Sequence, residues 1–252
     1  MADYRKVRGG AAATGGSSSS SFAAMTADEG DVAALWNFAE TSGVTFTDSV
    51  SAVDLVASGT SSVATYYNHG IDLYQVVGAG ALKNIAPGVT MQQNTLATAT
   101  GVDSSLGNGT GSHTYEFYFK TGADDSTVQF AKTDAISTGQ HNFWFNRAGY
   151  IYFRIIATDG TAVACQTATD TSLFNITNNE LHHVRFVYNA GVSMSIYLDG
   201  VLARTVAATT LSGKTIEVDQ FTCAPSSIST KGTVLYQVRV SHNATNNGYN
   251  YA

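Results

Sequence analysis

The stretch Leu181-His-His-Val-Arg-Phe-Val-Tyr188, Asn189-Ala-Gly191, Val192-Ser-Met-Ser-Ile-Tyr-Leu198, Asp199-Gly200, Val201-Leu-Ala-Arg-Thr-Val206 decides the fold. Its β-branched and aromatic runs, His182–Tyr188, Val192–Leu198 and Val201–Val206, are separated by short turns. Asp199-Gly200 is the strongest turn signal in the chain, because a type I′ turn needs positive φ at both central residues. The pattern predicts three antiparallel strands joined by hairpins.

The same grammar extends outward. Thr114–Phe119 and Thr127–Ala131 read as strands around a polar turn, Gly122 to Ser126. His141–Phe145 and Tyr150–Ile156 flank Asn146-Arg-Ala-Gly149, and Ala162–Cys165 extends that meander. Thr215–Phe221 and Val234–Val240 finish the set. Upstream, Val32–Phe38 has strand composition, Thr41-Ser-Gly43 reads as a turn and Val44–Thr47 as a short strand. Residues 50–110 read as short strands between long loops. Ten or more strands and no long helix predict an all-β, antiparallel two-sheet sandwich.

Composition agrees. The chain has 252 residues with 13% charged, about half the usual share, and 55 Ser plus Thr. A helical bundle would need more Glu, Lys, Leu and Ala. The net charge of −6 disfavours nucleic-acid binding, which requires a basic face. No apolar run approaches the roughly 18 residues of a membrane span. The N-terminus carries charge without an apolar run behind it, so no signal peptide is expected. On that basis Asn108, Asn175 and Asn243, each in an Asn-x-Thr triplet, read as chance glycosylation matches. Cys165 and Cys223 allow one disulfide at most, if the strands bring them together.

Residues 1–24 stand apart from the sandwich expected over 25–252. Arg5, Lys6 and Arg8 precede a Gly-, Ala- and Ser-rich run that cannot bury a core of its own. This segment reads as an extended N-terminal arm, either a free linker or an arm that orders on a partner through Arg5, Lys6 and Arg8.

Three pieces resemble the concanavalin A-like, laminin-G-like jelly roll, and they occur in that family's order. Leu35-Trp-Asn-Phe-Ala-Glu-Thr-Ser-Gly43 with Asp48-Ser49 is similar to its first strand and loop. Leu181–Tyr188 with Ser195-Ile-Tyr-Leu-Asp-Gly-Val-Leu202 is similar to its most recognisable hairpin, and Tyr236–Ser241 to its last strand. The resemblance implies a jelly roll often used to bind glycans or proteins. Some relatives are glucanases with Glu-x-Asp-x-Glu or Glu-x-Asp-x-x-Glu on one strand face, because retaining hydrolysis needs two carboxylates roughly 5 Å apart. Among Glu29, Glu40, Glu116, Glu180 and Glu217, the nearest match is Glu217-Val-Asp219, which lacks the second Glu. No catalytic residue is expected.

The resemblance also makes calcium the ion to consider at the sandwich rim, where it would need six to eight oxygens. Asp48, Asp103, Asp124 and Asp125 are loop candidates. Asp124-Asp125 reads better as a charged hairpin tip and Asp199 as a turn former, so no ligand is assigned and no other cofactor is expected. His182 and His183 should face opposite sides of the sheet and so cannot share a metal. His69, His113, His141 and His242 show no zinc spacing, and no Gly-x-Ser-x-Gly elbow announces a hydrolase. Trp36, Phe38, Phe143, Trp144 and Phe145 read as mostly core, while Tyr66, Tyr67, Tyr249 and Tyr251 are freer to touch a partner.

Together these readings predict a non-enzymatic structural or adhesive protein on a virion surface, of the capsid-decoration or tail-fibre type found in phages. Its arm would anchor it, and its partners would be other virion proteins and its own copies. The alternative is a lectin-like carbohydrate-binding module with a glycan partner.

Overall fold

The computed structural model describes residues 25, 32–38, 45–51, 53–58, 66–71, 86–90, 96–100, 111–120, 127–133, 140–146, 150–167, 181–216, 220–223 and 234–242. For 57–58, 66–71, 86–90, 96–100, 120, 127–133, 140–146, 220–223 and 234 it describes the backbone alone. Two antiparallel eight-stranded sheets form it. Sheet A contains β1 (Val32–Trp36), β4 (Tyr66–Ile71), β5 (Ala86–Thr90), β7 (His113–Lys120), β12 (Leu181–Asn189), β13 (Ser193–Leu198), β14 (Val201–Ala207) and β16 (Val234–Ser241). Sheet B contains β2 (Thr45–Phe46), β3 (Leu55–Ser58), β6 (Leu96–Thr100), β8 (Thr127–Thr133), β9 (Gln140–Asn146), β10 (Ile151–Ile156), β11 (Ala162–Gln166) and β15 (Gln220–Cys223).

Sheet A runs β14-β13-β12-β7-β16-β5-β4, with β1 also on β16. Sheet B runs β11-β10-β9-β8-β15-β6-β3-β2. The deciding stretch forms the expected meander, with Val184 opposite Leu198 and Leu198 opposite Val201. Its turn has φ 49 at Asp199 and φ 81 at Gly200, both in the left-handed region that a type I′ turn requires.

Alternation on β7 sends Tyr115, Phe117 and Phe119 into the core between the sheets. The core meets across the sandwich where the Phe153 and Phe186 rings stand 5.5 Å apart. The opposite face of sheet A is closed as well. Thr114, Glu116 and Tyr118 are at most 3% exposed, and Met25, Leu35, Tyr118, Leu181 and Tyr236 form a second apolar cluster there. The middle of sheet A, at β7, β12 and β16, is therefore buried on both faces, which is why eight successive residues of β12 are buried, while the edge strand β14 stays largely exposed.

Three expectations change. β7 and β8 lie in different sheets, so residues 121–126 join the sheets instead of closing a hairpin. Asp124 and Asp125 themselves are outside the described residues. Of the strand expected at Thr215–Phe221, Thr215 and Ile216 lie outside any strand, since Thr215 O accepts Thr158 N–H and ties them to another turn, and β15 is described as Gln220–Cys223. Val192 belongs to the β12–β13 turn, its N–H bonded to Asn189 O. His182 and His183 lie on β12, within the strand run that the sequence pattern marks. Cys165 on β11 and Cys223 on β15 sit in one sheet with three strands between them, about 19 Å apart across the ladder. They cannot bridge within the chain, and Cys165 is a free, buried thiol that burial pushes up to about 12.

Asp48 organises the first loop. Its Oδ1 accepts N–H groups from Leu35 (2.8 Å) and Val50 (3.0 Å). Its Oδ2 accepts Ser51 N–H (2.8 Å), Ser51 Oγ–H (2.5 Å) and Val53 N–H (3.2 Å). Trp36 Nε1 then donates to Val53 O at 2.9 Å. Removing a buried carboxylate that holds several N–H groups strands those donors. Asp48→Ala is expected to cost about 3 kcal/mol in urea unfolding with an unchanged m-value, and Asp48→Asn less.

Candidate functional site

The β12–β13 turn and the segment after β14 build a cleft at one end of the sandwich. Gly191 takes φ 66, and its N–H donates to Tyr188 Oη at 3.2 Å. Ala190 N–H donates to Ser112 Oγ at 3.0 Å, which ties the turn to the start of β7. Opposite it, Thr209–Leu211 forms a 3-10 turn that continues into Ser212, Gly213 (φ 69) and Lys214. A cleft of ≈ 290 Å³ lies between Tyr188, Ala190 and Gly191 on one side and residues 211–215 on the other.

The far wall is clamped. Lys214 Nζ donates to Asp159 Oδ2 at 2.7 Å, and Thr158 N–H donates to Thr215 O at 3.0 Å. Lys214, with help from the Thr161 N–H, holds the Asp159 carboxyl well below the usual aspartate range. It stays ionised across the physiological range and keeps the ammonium directed. The cleft is thus lined by the hydroxyl-bearing Ser212 and Thr215 and by backbone groups, with the Lys214 ammonium turned to Asp159. Such groups suit the orientation of a small polar ligand.

The other end of sheet A receives the chain that precedes the sandwich. Met25 is buried, and its N–H donates to Gln237 Oε1 at 2.9 Å. Gln237 stands opposite Tyr118, which stands opposite His183. From His183 to Tyr188 the strand rises about 17 Å. Entry point and cleft therefore lie toward opposite ends of β12.

Between them runs a buried ionic network on the outer face. Arg239 Nε and Nη2 lie 2.7 and 2.6 Å from Glu116 Oε2, and His183 Nε2 lies 3.3 Å from Oε1. The His183 ring packs on Tyr118 at 4.7 Å, and Arg185 stacks on Tyr197 at 4.3 Å. Burial alone pushes Glu116 up, but His183 and Arg239 outweigh it and hold the carboxyl below its ordinary range. On the core face, His182 Nδ1 lies 2.9 Å from Asp199 Oδ2, whose Oδ1 accepts His183 N–H at 2.9 Å. The two histidines do face opposite ways, and the turn former Asp199 also clasps β12.

Of the site residues expected from sequence, Arg5, Lys6, Arg8, Asp103, Asp124, Asp125, Glu217 and Asp219 lie outside the described residues, as do Glu29, Glu40, Glu180, Tyr249 and Tyr251. His69, Tyr66 and Tyr67 lie on β4, and His141, Phe143, Trp144 and Phe145 on β9, where the backbone alone is described. Trp36 and Phe38 are core, at 0% and 1% exposure. Asp48 does not fit a calcium ligand, since its oxygens already accept five hydrogen bonds. Among the described residues, no three His, Cys, Asp or Glu side chains converge as a metal site would require, and no helix is long and apolar enough to cross a membrane. Sequence reading missed the cleft. Ser212-Gly213 and Asn189-Ala-Gly191 each carry a turn signal, but nothing in the sequence places the two turns beside each other.

Residues 91–243 match the laminin G profile of the concanavalin A-like lectin/glucanases superfamily. The chain belongs to that superfamily. No curated protein sequence matches it. Solved structures with the same fold include the botulinum neurotoxin serotype D binding domain, with TM-score 0.63 and 10% identity over 86% of this chain and 49% of that one. The binding domain of Paraclostridial Mosquitocidal Protein 1 gives 0.63 and 12% over 86% and 50%. The binding domain of botulinum neurotoxin DC in complex with SialylT gives 0.60 and 11% over 86% and 49%. The chain spans about half the length of each.

Two outcomes are expected. A Cβ at Gly191 would meet Ser212 Cβ at 3.0 Å in a left-handed backbone, so Gly191→Ala should lower stability by roughly 1–3 kcal/mol in thermal unfolding. Glu116 is held low in the folded state, so its contribution is present above the ordinary glutamate range and is lost as pH falls through its folded value. Glu116→Gln should cost about 3–5 kcal/mol at pH 7 by stranding Arg239. It should also flatten the acid limb of a stability–pH profile measured by urea unfolding.

Proposed function

We propose that the chain is a non-enzymatic adhesive module on a virion surface, of the capsid-decoration or tail-fibre type. Residues 1–24 tie it to other virion proteins through Arg5, Lys6 and Arg8. The observation that carries this reading is the placement of the buried entry point at Met25 toward one end of sheet A and the open cleft at the other. A chain held near Met25 presents its cleft outward. The low charge of the sandwich and the basic Gly- and Ser-rich arm support the virion setting. The non-enzymatic reading is supported by Glu116, whose carboxylate is spent on Arg239 inside the sheet.

A glycan is the ligand favoured for the cleft. Its volume lies at the small end of ligand sites and suits about one sugar ring. Ser212 and Thr215 supply hydroxyl partners for sugar hydroxyls. One structure of similar fold was solved with SialylT.

A glycan array probed with the full chain tests the reading. Binding is expected, with loss of at least about tenfold in affinity for Ser212→Trp, which fills the cleft, and an unchanged melting temperature. A chain lacking residues 1–24 should keep glycan binding yet fail to join particles when produced with the other structural proteins. Binding indifferent to Ser212→Trp, or particle incorporation without the arm, would overturn the corresponding half.

A further inference from the structure

The two sheets end side by side at β14 and β11, and the two edges differ. Edge strands invite pairing unless they are short, charged, bulged or covered. β14 carries the exposed Arg204 and a bulge opposite Ile196 and Tyr197. β2, at the far edge of sheet B, has two residues. Among the described residues, β11 shows none of these defences. Its five residues, Ala162-Val-Ala-Cys-Gln166, contain no charge and no Pro, and they pair with β10 in unbroken register.

The ladder fixes which groups face outward. Ala157 N–H donates to Thr161 O and Thr167 N–H to Ile151 O, so odd-numbered residues of this strand bond to β10. The N–H and C=O groups of Ala162, Ala164 and Gln166 therefore point away from the sheet. All three residues are exposed, and among the described residues no strand pairs with that edge.

We infer that β11 is a self-association edge, pairing antiparallel with β11 of a second copy about a two-fold axis through Ala164. A strand paired with its own copy across a two-fold is antiparallel by symmetry, the only mode used in either sheet here. Ala164 then faces its own copy, and Ala162 faces Gln166 of the second molecule. About six main-chain hydrogen bonds form. The strand itself carries no charge, and Arg154, the partner of Ala164, stands one strand back from the two-fold. The small Ala162 and Ala164 side chains leave the backbones free to approach. Cys165 takes no part, since it is buried toward the core. The dimer joins two copies of sheet B into one sheet. This inference is independent of the adhesive reading: a dimer without ligand leaves it standing, and ligand binding by a strict monomer removes it.

Sedimentation velocity on the full chain at rising concentration tests it. A concentration-dependent dimer is expected. Ala164→Pro removes an outward N–H that β10 does not use, and Ala164→Glu places like charges at the two-fold while facing Arg154 of β10 within its own sheet. Each should raise the dimer dissociation constant at least about tenfold. Circular dichroism and melting temperature should be unchanged for Ala164→Glu, whose carboxylate faces Arg154, which keeps the test valid if the proline variant misfolds. Ala164→Cys should form an interchain disulfide on mild oxidation faster than Thr158→Cys, on an exposed turn. A monomer at every concentration, a dimer indifferent to both variants, or equal cross-linking of the two cysteine variants would overturn the proposal.

Discussion

A carboxylate closed off from water in the middle of a sheet must be neutralised where it stands, and Arg239 does that for Glu116. The two residues are cross-strand partners on β7 and β16. Their pairing fixes the register of the strands that hold sheet A together. Once that register is set, Phe117 and Val238 fall on the core face and Tyr118 and Gln237 on the other. A slip of one residue would bring the charges into the core and the aromatics out of it. The ion pair thus specifies the sheet more than it stabilises it, since a buried pair costs much of its attraction in desolvation.

The fold was legible because the strands near residues 181–206 obey local rules. Asp199-Gly200 announced its turn, and the alternation around Phe186 and Ile196 announced its core. The connection after β7 was not legible. Gly122 to Ser126 has the composition of a hairpin loop, and composition does not say whether the next strand joins the same sheet. β12 was readable as a strand, yet its unbroken burial depends on both faces of sheet A being covered, a tertiary fact. Thr215 likewise has strand character that the hydrogen bond from Thr158 overrides.

The cleft was illegible for a related reason. Its walls come from Tyr188 to Gly191 and Leu211 to Thr215, braced by Asp159 from a third turn. No spacing in the sequence joins these segments. Charge-based reading instead drew attention to Asp48, whose role is internal: it holds four backbone N–H groups of the first strand and loop. An acidic residue in a loop is as often a backbone organiser as a ligand, because both tasks need the same oxygen acceptors.

The position of β16 dictates an order of assembly. It is the final described strand in sequence, yet β7, β5 and β1 all pair with it. Val32 meets Ser241 and Met25 meets Gln237, contacts that span most of the chain. On the ribosome, sheet A cannot close until Ser241 has emerged. Until then β7 waits with one long side open and the apolar cluster around Tyr118 unassembled. Such long-range pairing places folding among the slow, non-local topologies. It also makes the interval just after synthesis the time when the chain is most exposed to aggregation.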